Sequence, residues 1–263
     1  ILSIFNPVTL SIDRSLVSVK GSADYNKNIL DFELDLTEAS SSLINFFWSD
    51  TLSNGKATGS MKIGGTFEKT SVDIDLSISD FEYNEISLSS FELNAQLEDL
   101  NNFRTGIVKT KFSEGLWSDF IIENGNGQFS LNGNEIIISS FELRNNDDFM
   151  QFNGKFGADS ILIVDKFQLA YQNHFLINPS QLQLNLSNNK LEMSPFELHV
   201  DDGVIEGYFE TNPFVGKIKF SNVTSDILPL LKIKGSENID GSFFGEINFP
   251  KDTNLDMVKF DFS

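Results

Sequence analysis

The 263-residue chain contains no cysteine, which excludes disulfide bonds and thiolate metal sites. Basic residues are scarce, 19 against 38 acidic residues, and the formal net charge is −19. Because this charge repels phosphate backbones and the few basic residues are scattered, we expect no nucleic-acid partner and no adhesion to anionic lipid surfaces. No run of about 18 apolar residues is present, so we expect no membrane-spanning helix within the chain.

Aromatic residues that carry a polar group are also rare. The chain has 4 tyrosines and 2 tryptophans but 26 phenylalanines. Phenylalanine has no hydrogen-bonding group, and this bias suits a surface that must stay free of water.

A ten-residue pattern, Asn-x-(Ile/Leu)-x-(Ile/Leu/Met)-Ser-(Ser/Pro)-Phe-Glu-Leu, occurs at residues 84–93, 134–143 and 189–198. Such self-similarity is typical of repeat architectures. Alternating apolar residues dominate the chain, and pairs such as Leu10/Ile12, Val17/Val19 and Phe129/Leu131 predict strands with one apolar face. The sequence therefore predicts an all-β fold with a repetitive antiparallel sheet.

A longer repeat is marked by glycines. Gly21, Gly55 and Gly59 recur 186 residues later as Gly207, Gly241 and Gly245. Short apolar helices are predicted before the second and third glycine of each copy, at residues 37–50 and 225–231, where they would cover the end of a sheet layer. We interpret residues 1–263 as a single continuous β-repeat array, with one large unit at 7–192 and the start of a second at 193–263, cut from a longer protein.

Two turns would set the pairing of the strands. Asn132-Gly133 predicts a type I′ hairpin that pairs Phe129 with Ile136. In the third block the turn is Ser187-Asn188, which pairs Leu184 with Leu191, or Asn188-Asn189, which shifts that register.

Each ten-residue block changes the parity of its apolar residues. Ile86 and Leu88 are even, whereas Phe91 and Leu93 are odd. A single apolar face is kept only if the Ser-Ser or Ser-Pro step holds a bulge or corner, and Pro195 at this step in the third block favours one. We therefore expect a sheet that curves at regular intervals.

Two motifs resemble those of the AsmA-like and TamB families of Gram-negative envelope proteins. The first is Gly-x-x-x-Gly-x-Φ-x-Φ, with Φ apolar, at residues 55–63 and 241–249. The second is a Phe-Glu-Leu strand followed by residues 153–156 or 206–209. The resemblance implies a sheet rolled into an elongated, open, taco-like groove with an apolar lining, and with short helices between repeat units. It also implies a periplasmic protein, anchored in the inner membrane, that carries phospholipid toward the outer membrane. An outer-membrane barrel protein is the implied partner, engaged through regions outside this chain.

We predict that the groove is lined by residues of the three blocks and of the strands that pair with them. They are Ile86, Leu88, Phe91, Leu93, Phe129, Leu131, Ile136, Ile138, Phe141, Leu143, Leu184, Leu186, Leu191, Met193, Phe196 and Leu198. The alternative is a structural or adhesive surface repeat with a closed core, because the same alternation suits a sealed sandwich.

We expect no enzyme, metal or cofactor, since no catalytic cluster is visible. His174 and His199 lie outside any recognisable motif, and Asp147-Asp148 and Asp201-Asp202 are interpreted as solvated turns. The glutamates of Phe-Glu-Leu, namely Glu33, Glu92, Glu142 and Glu197, alternate with apolar neighbours and should lie on the opposite face.

Overall fold

A computed structural model of the chain describes residues 2–12, 14–41, 54–100, 104–117, 120–186, 190–211, 215–225 and 241–249. Nearly all of these residues lie in β-strands, and the strands pair in antiparallel ladders. The predicted all-β, antiparallel fold is therefore confirmed. Contacts divide the chain into two compact units, Ile1–Asn146 and Asp147–Ser263, called unit 1 and unit 2.

Unit 1 is a meander in which each described strand pairs with the next along the chain. Its strands are β1 (Leu2–Ile12), β2 (Ser15–Asp24), β3 (Ile29–Ser40), β4 (Asn54–Gly65), β5 (Thr70–Tyr83), β6 (Ile86–Glu98), β7 (Thr105–Trp117), β8 (Phe120–Asn132) and β9 (Glu135–Asn145).

Unit 2 follows the same meander with one variation. Its strands are β10 (Asp148–Phe156), β11 (Ile161–Tyr171), β12 (His174–Ile177), β13 (Leu182–Asn185), β14 (Glu192–Val200), β15 (Gly203–Glu210), β16 (Val215–Thr224) and β17 (Ser242–Phe249). The short strands β12 and β13 both pair with β11 on one side and with β14 on the other. Together they occupy one place in the ladder. The large repeat at 7–192 rests on the glycine period, and it stays a prediction.

The Ser-Ser and Ser-Pro steps interrupt the ladder in all three blocks. In the first block Leu88 pairs with Phe81 and Ser90 with Ser79, so Ser89 is skipped. In the second block Ser139 is the skipped residue, and in the third Ser194 and Pro195 lie against a single residue of β15.

These interruptions keep the apolar residues on one face. In the second block Ile138 and Phe141 pair with Phe129 and Gly127, which lie two residues apart on β8 and so share a face. In the first block the ring of Phe81, the partner of Leu88, stacks on the ring of Phe91 with their centroids 5.1 Å apart. The predicted bulge or corner is confirmed, with a shift of register in the second and third blocks and one unpaired residue on each strand in the first.

The predicted turn at Asn132-Gly133 is wrong by one residue. Asn132 pairs with Glu135, so the two-residue loop is Gly133-Asn134, with Gly133 at φ 62° as a type II′ turn requires. This register places Leu131 opposite Ile136 and Phe129 opposite Ile138, so that each apolar residue has an apolar partner.

The third block has the register of the second predicted alternative. Leu184 pairs with Met193, as a turn at Asn188-Asn189 requires, and not with Leu191. The turn residues 187–189 themselves lie outside the described residues.

The predicted helix at 37–50 begins too early, because residues 37–40 form the end of β3. Its apolar residues Leu43, Phe46 and Phe47, and residues 226–231 of the second predicted helix, lie outside the described residues. No helix in the described part of the chain has the length and hydrophobicity needed to cross a bilayer.

Small and medium side chains form the buried core of each unit. In unit 1 the buried cluster consists of Val17, Ala39, Ala57 and Ile78. In unit 2 it consists of Val200, Ile205 and Val223. In both units one cluster member directly follows a bulge residue with positive φ, Glu38 before Ala39 and Asn222 before Val223.

Gly21 of β2 should be intolerant of a side chain. Its φ is 143°, and an added Cβ would lie 2.2 Å from the carbonyl oxygen of Asp31 and 2.6 Å from Cα of Phe32. We expect Gly21→Ala to lower the free energy of unfolding by about 2 to 3 kcal/mol, measured by urea denaturation. Gly64→Ala is the matched control, because its Cβ would meet nothing nearer than Ser71 Oγ at 3.5 Å, and it should change stability by less than about 0.5 kcal/mol. Equal effects of the two changes would contradict this account.

Candidate functional site

One side of the unit 1 sheet is apolar across many strands. We call it the apolar face of unit 1, and it carries Leu34, Leu36, Ile74, Leu76, Ile78, Ile86, Leu88, Phe91, Leu93, Val108, Phe112, Phe129, Leu131, Ile136, Ile138, Phe141 and Leu143. The four cross-strand rows that pass through Phe91, Leu93, Ala95 and Leu97 contain no charged residue in any described strand of unit 1. Thr110 is their one polar side chain. Such a face can take up hydrocarbon and offers almost nothing to a polar ligand.

All ten predicted lining residues of unit 1 lie on this face. Leu88 and Leu143 are buried, with 3% and 2% of their surface exposed, while Ile136 is 38% exposed. The other seven are half-buried. Because a sealed sheet sandwich would bury these side chains fully, the apolar face of unit 1 is only partly covered.

Four phenylalanines form a row of ring contacts across this face. We call Phe81, Phe91, Phe112 and Phe141 the aromatic row. Successive ring centroids are 5.1, 5.6 and 5.9 Å apart. The row crosses obliquely from β5 to β9, because Phe91 and Phe112 pair directly while Phe81 and Phe141 lie in the adjacent cross-strand rows on either side. It joins the corner beside the buried cluster, where Phe81 and Phe91 pack, to the more open part of the face.

Strand β8 contributes glycines where the row would otherwise be crowded. Gly125 lies between Phe112 and Leu143, and a Cβ there would be 2.6 Å from Leu143 Cδ2. A Cβ on Gly127 would be 2.7 Å from the ring of Phe129. These glycines therefore leave room for the neighbouring large side chains to lean across the strand.

Thr110 is the exception on the apolar face. It lies between Leu93 and Gly127 in its row and is 9% exposed. Its Oγ1 atom is buried and has no hydrogen-bond partner among the described residues. An unsatisfied buried hydroxyl costs stability.

Unit 2 has a corresponding surface. Its apolar face carries Leu162, Val164, Leu184, Met193, Phe196, Leu198, Val200, Ile205, Phe209, Ile218, Phe220, Val223, Ile247 and Phe249. Four predicted lining residues, Leu184, Met193, Phe196 and Leu198, lie on it and are half-buried.

The remaining two lie beside strands and not within them. Leu186 follows β13, is 44% exposed and donates its backbone N–H to the Ser160 carbonyl at 2.8 Å. Leu191 precedes β14. Its carbonyl oxygen accepts the Thr211 backbone N–H, and its own N–H donates to Thr211 Oγ1.

The sequence reasoning missed the lining residues of β5 and β7. Phe112, a central member of the aromatic row, lies outside the ten-residue blocks, as do Phe81 and Thr110. The signal was present, because Lys109 and Lys111 alternate with Val108, Thr110 and Phe112. This alternation, combined with the repeat, predicts that Val108, Thr110 and Phe112 share the apolar face.

The opposite, polar face carries the glutamates of the Phe-Glu-Leu strands in ion pairs. Glu33 bridges Lys20 at 2.5 Å and Lys62 at 3.8 Å, and Glu92 lies 3.9 Å from Lys111. The hydrogen bond from Lys20 lowers the pKa of Glu33 and raises that of Lys20. Glu142 pairs with Arg144 and Glu197 with His199. These groups are partly or fully exposed to solvent, so the pairs add little to stability and mainly keep this face hydrated.

One aspartate of each Asp-Asp pair accepts a hydrogen bond from the backbone of a neighbouring turn or strand. Asp148 accepts the Gln172 backbone N–H at 2.9 Å, and Asp201 accepts that of Phe175 at 2.8 Å while its other oxygen meets His174 Nδ1. Within the described residues no three histidine, aspartate or glutamate side chains form a group that could hold a metal ion.

Comparisons of the chain with protein-family models, curated proteins and solved structures gave no match.

Replacing the Thr110 hydroxyl should stabilise the protein. Thr110→Val keeps the side-chain shape and removes the unsatisfied oxygen, so we expect the free energy of unfolding to rise by about 1 kcal/mol in urea denaturation. Thr58→Val is a control of opposite sign, because the Thr58 hydroxyl accepts the backbone N–H of Glu38 at 3.3 Å, and its loss should lower stability by about 1 kcal/mol. A destabilised Thr110→Val variant would contradict the assignment.

Proposed function

We propose that this protein holds the acyl chains of phospholipids on the apolar face of unit 1, as a segment of a periplasmic, bridge-like scaffold that moves lipid for outer-membrane biogenesis. The single observation that carries the proposal is the partial exposure of large apolar side chains on a continuous, uncharged face. The periplasmic location, the inner-membrane anchor and the outer-membrane barrel partner come from the resemblance to AsmA-like and TamB proteins.

The partial exposure of so many large apolar side chains supports the binding of an apolar ligand. Soluble monomers seldom expose large contiguous apolar patches unless the patch binds something. Among the described phenylalanines whose side chains are placed, only Phe249 is buried. The closed-core alternative predicts the reverse, with the largest apolar side chains most deeply enclosed.

The aromatic row supports an acyl chain that runs across the strands. Its path from β5 to β9 covers four strand spacings, about 19 Å in total. That length is on the order of an extended acyl chain. Burying some fifteen methylenes at about 0.8 kcal/mol each would gain on the order of 12 kcal/mol as an upper bound, which is ample to take the chain out of water.

The absence of charge from the four described rows bears on the kind of ligand. A polar head group placed there would lose its hydration without gaining hydrogen bonds. The acyl chain would therefore lie on the face while the head group stays in solvent. We expect selection for chain length and little selection for head group.

Lipid should accompany the purified protein. Native mass spectrometry after purification without detergent should find adducts with phospholipid masses, and solvent extraction should release them. Protein that is free of lipid after gentle purification, and that takes up no lipid from vesicles, would contradict the proposal.

A charge in the aromatic row should abolish lipid capture. Phe141→Asp places an ion where the acyl chain would lie, and we expect bound phospholipid to fall by roughly tenfold or more. Ile107→Asp is the matched control, because Ile107 is 44% exposed, pairs with Gln96 and Ser130 on the polar face and should retain lipid.

Circular dichroism separates the two functions. With an open face, Phe141→Asp should keep its β spectrum and melt cooperatively while losing lipid. With a closed core the same change would unfold the chain. Phe91→Asp is a poorer probe, because Phe91 also packs against the buried cluster of unit 1.

A further inference from the structure

One end of the unit 1 sheet exposes large apolar side chains on the polar face. Leu116 of β7 pairs with Ile121 of β8, and the two residues are 47% and 56% exposed. Their row continues to Ser87 of β6 and Glu82 of β5. Because Ser87 and Leu88 are neighbours on one strand, this row lies on the face opposite that of Leu88. The polar face is therefore apolar where β7 ends and β8 begins.

The apolar face is exposed at the same end. Tyr83 of β5, Ile86 of β6, Trp117 of β7 and Phe120 of β8 form one cross-strand row, next to the row that holds Leu88. Tyr83 and Trp117 are 41% and 40% exposed. Both faces of the sheet are thus apolar and partly uncovered here. We call this region the apolar end of unit 1, and it consists of Tyr83, Ile86, Leu116, Trp117, Phe120 and Ile121.

The opposite end of the same strands is polar. Lys69 precedes β5, β6 ends at Glu98, Asp99 follows it, and Arg104 precedes β7. All four residues carry a charge. An apolar surface is therefore a property of one end of these strands and not of strand ends in general.

The apolar end is continuous with the face that we propose holds lipid. Phe81, the first ring of the aromatic row, pairs with Leu88 in the row next to Tyr83. Gly115 and Ile122 complete that row on β7 and β8. From β5 to β8 neither row contains a charged residue. A hydrocarbon chain on the aromatic row can therefore reach this end of the sheet without passing a charge.

Two properties of the apolar end point to a bilayer surface. A flat partner surface covers one face of a sheet, whereas the head-group layer of a membrane surrounds an inserted strand end on both faces. Tryptophan and tyrosine settle at the boundary between membrane and water, because each has an apolar ring and one polar group. The chain has only 2 tryptophans and 4 tyrosines, yet Trp117 and Tyr83 lie in one row of this end.

The charges beside the apolar end select an uncharged membrane. Glu82 and Glu85 are exposed there, and residues 81–88, 115–117 and 120–122 include no lysine or arginine. These carboxylates repel anionic lipid, and they also repel a second copy of this chain, whose net charge is −19. A zwitterionic bilayer has no net charge and is not repelled.

We propose that the apolar end of unit 1 docks on the surface of a zwitterionic phospholipid bilayer. Trp117, Tyr83, Leu116 and Ile121 enter the boundary between head groups and hydrocarbon. Acyl chains pass between the bilayer and the aromatic row along the row of Phe81. This passage rests on the proposed function, whereas the docking itself does not.

Flotation of the full chain with phosphatidylcholine vesicles in a density gradient tests the docking. The chain should float with these vesicles and float less with vesicles that contain phosphatidylglycerol. In a Trp48→Phe variant Trp117 is the single tryptophan. Its fluorescence should shift to shorter wavelength when vesicles are added, and brominated phosphatidylcholine should quench it.

Variants assign the docking to this end. Leu116→Asp and Ile121→Asp should each lower the vesicle-bound fraction by roughly tenfold or more, because the new charge would lose its hydration on insertion. Ile107→Asp is the matched control and should float normally. Ile107 is 44% exposed and lies on the polar face of the same strand as Leu116, but at its opposite end. Circular dichroism should show the same β spectrum for all three variants.

Absence of flotation with phosphatidylcholine vesicles would overturn the proposal. Unchanged flotation of Leu116→Asp and Ile121→Asp, or an unchanged Trp117 emission, would do the same. A dimer in sedimentation that Leu116→Asp dissociates would also overturn it, because a second copy would then cover this end. The measurements on the unmodified chain decide the matter even if an aspartate variant fails to fold.

The docking and the proposed function can fail separately. Phospholipid adducts in native mass spectrometry without flotation would remove the docking and leave the lipid-holding face in place. Flotation without adducts would support the docking and contradict the proposed function.

Discussion

In the described strands successive side chains alternate between the two faces of the sheet, and the apolar face of unit 1 depends on how slips of this two-residue period are compensated. A slip of one residue turns all following side chains to the other face. In unit 1 the correction is made on several adjacent strands at once. Asp80, Ser89, Glu114 and Glu123 are all skipped by the ladders of β5 to β8. Because neighbouring strands skip a residue at the same place, their hydrogen bonds resume in register. Phe91, after the skipped residue of β6, therefore lies on the same face as Leu88 before it.

The one-sided sheet separates the residues that stabilise the fold from those that remain open. Small side chains such as Ala39 and Ala57 are fully buried where strands meet the bulge. Larger ones such as Phe141 and Leu131 lie on the same face but stay half-exposed. A charge at the second kind of position should therefore leave the core closed, so the proposed lipid binding and the folding of the chain can be tested separately.

Glycine has a structural role here that its low strand propensity would not indicate. In β8, a side chain on Gly125 would collide with Leu143, and one on Gly127 would collide with Phe129 and Thr110. Gly207 of unit 2 likewise lies between large residues, because it pairs with Phe196 on one side and with Ile218 on the other.

The sequence by itself determined the all-β class, the alternation of apolar and polar faces along the repeated blocks and the need for a bulge or corner at the Ser-Ser and Ser-Pro steps, because period two and its interruptions are local properties of the chain. It misplaced the hairpin at Gly133, since adjacent turns differ by one residue and only the cross-strand pairing of Leu131 with Ile136 selects between them. It also missed Phe112. Contact between residues distant in sequence, and the extent to which a face or an edge is covered, follow from which strands become neighbours, and only the tertiary structure decides that.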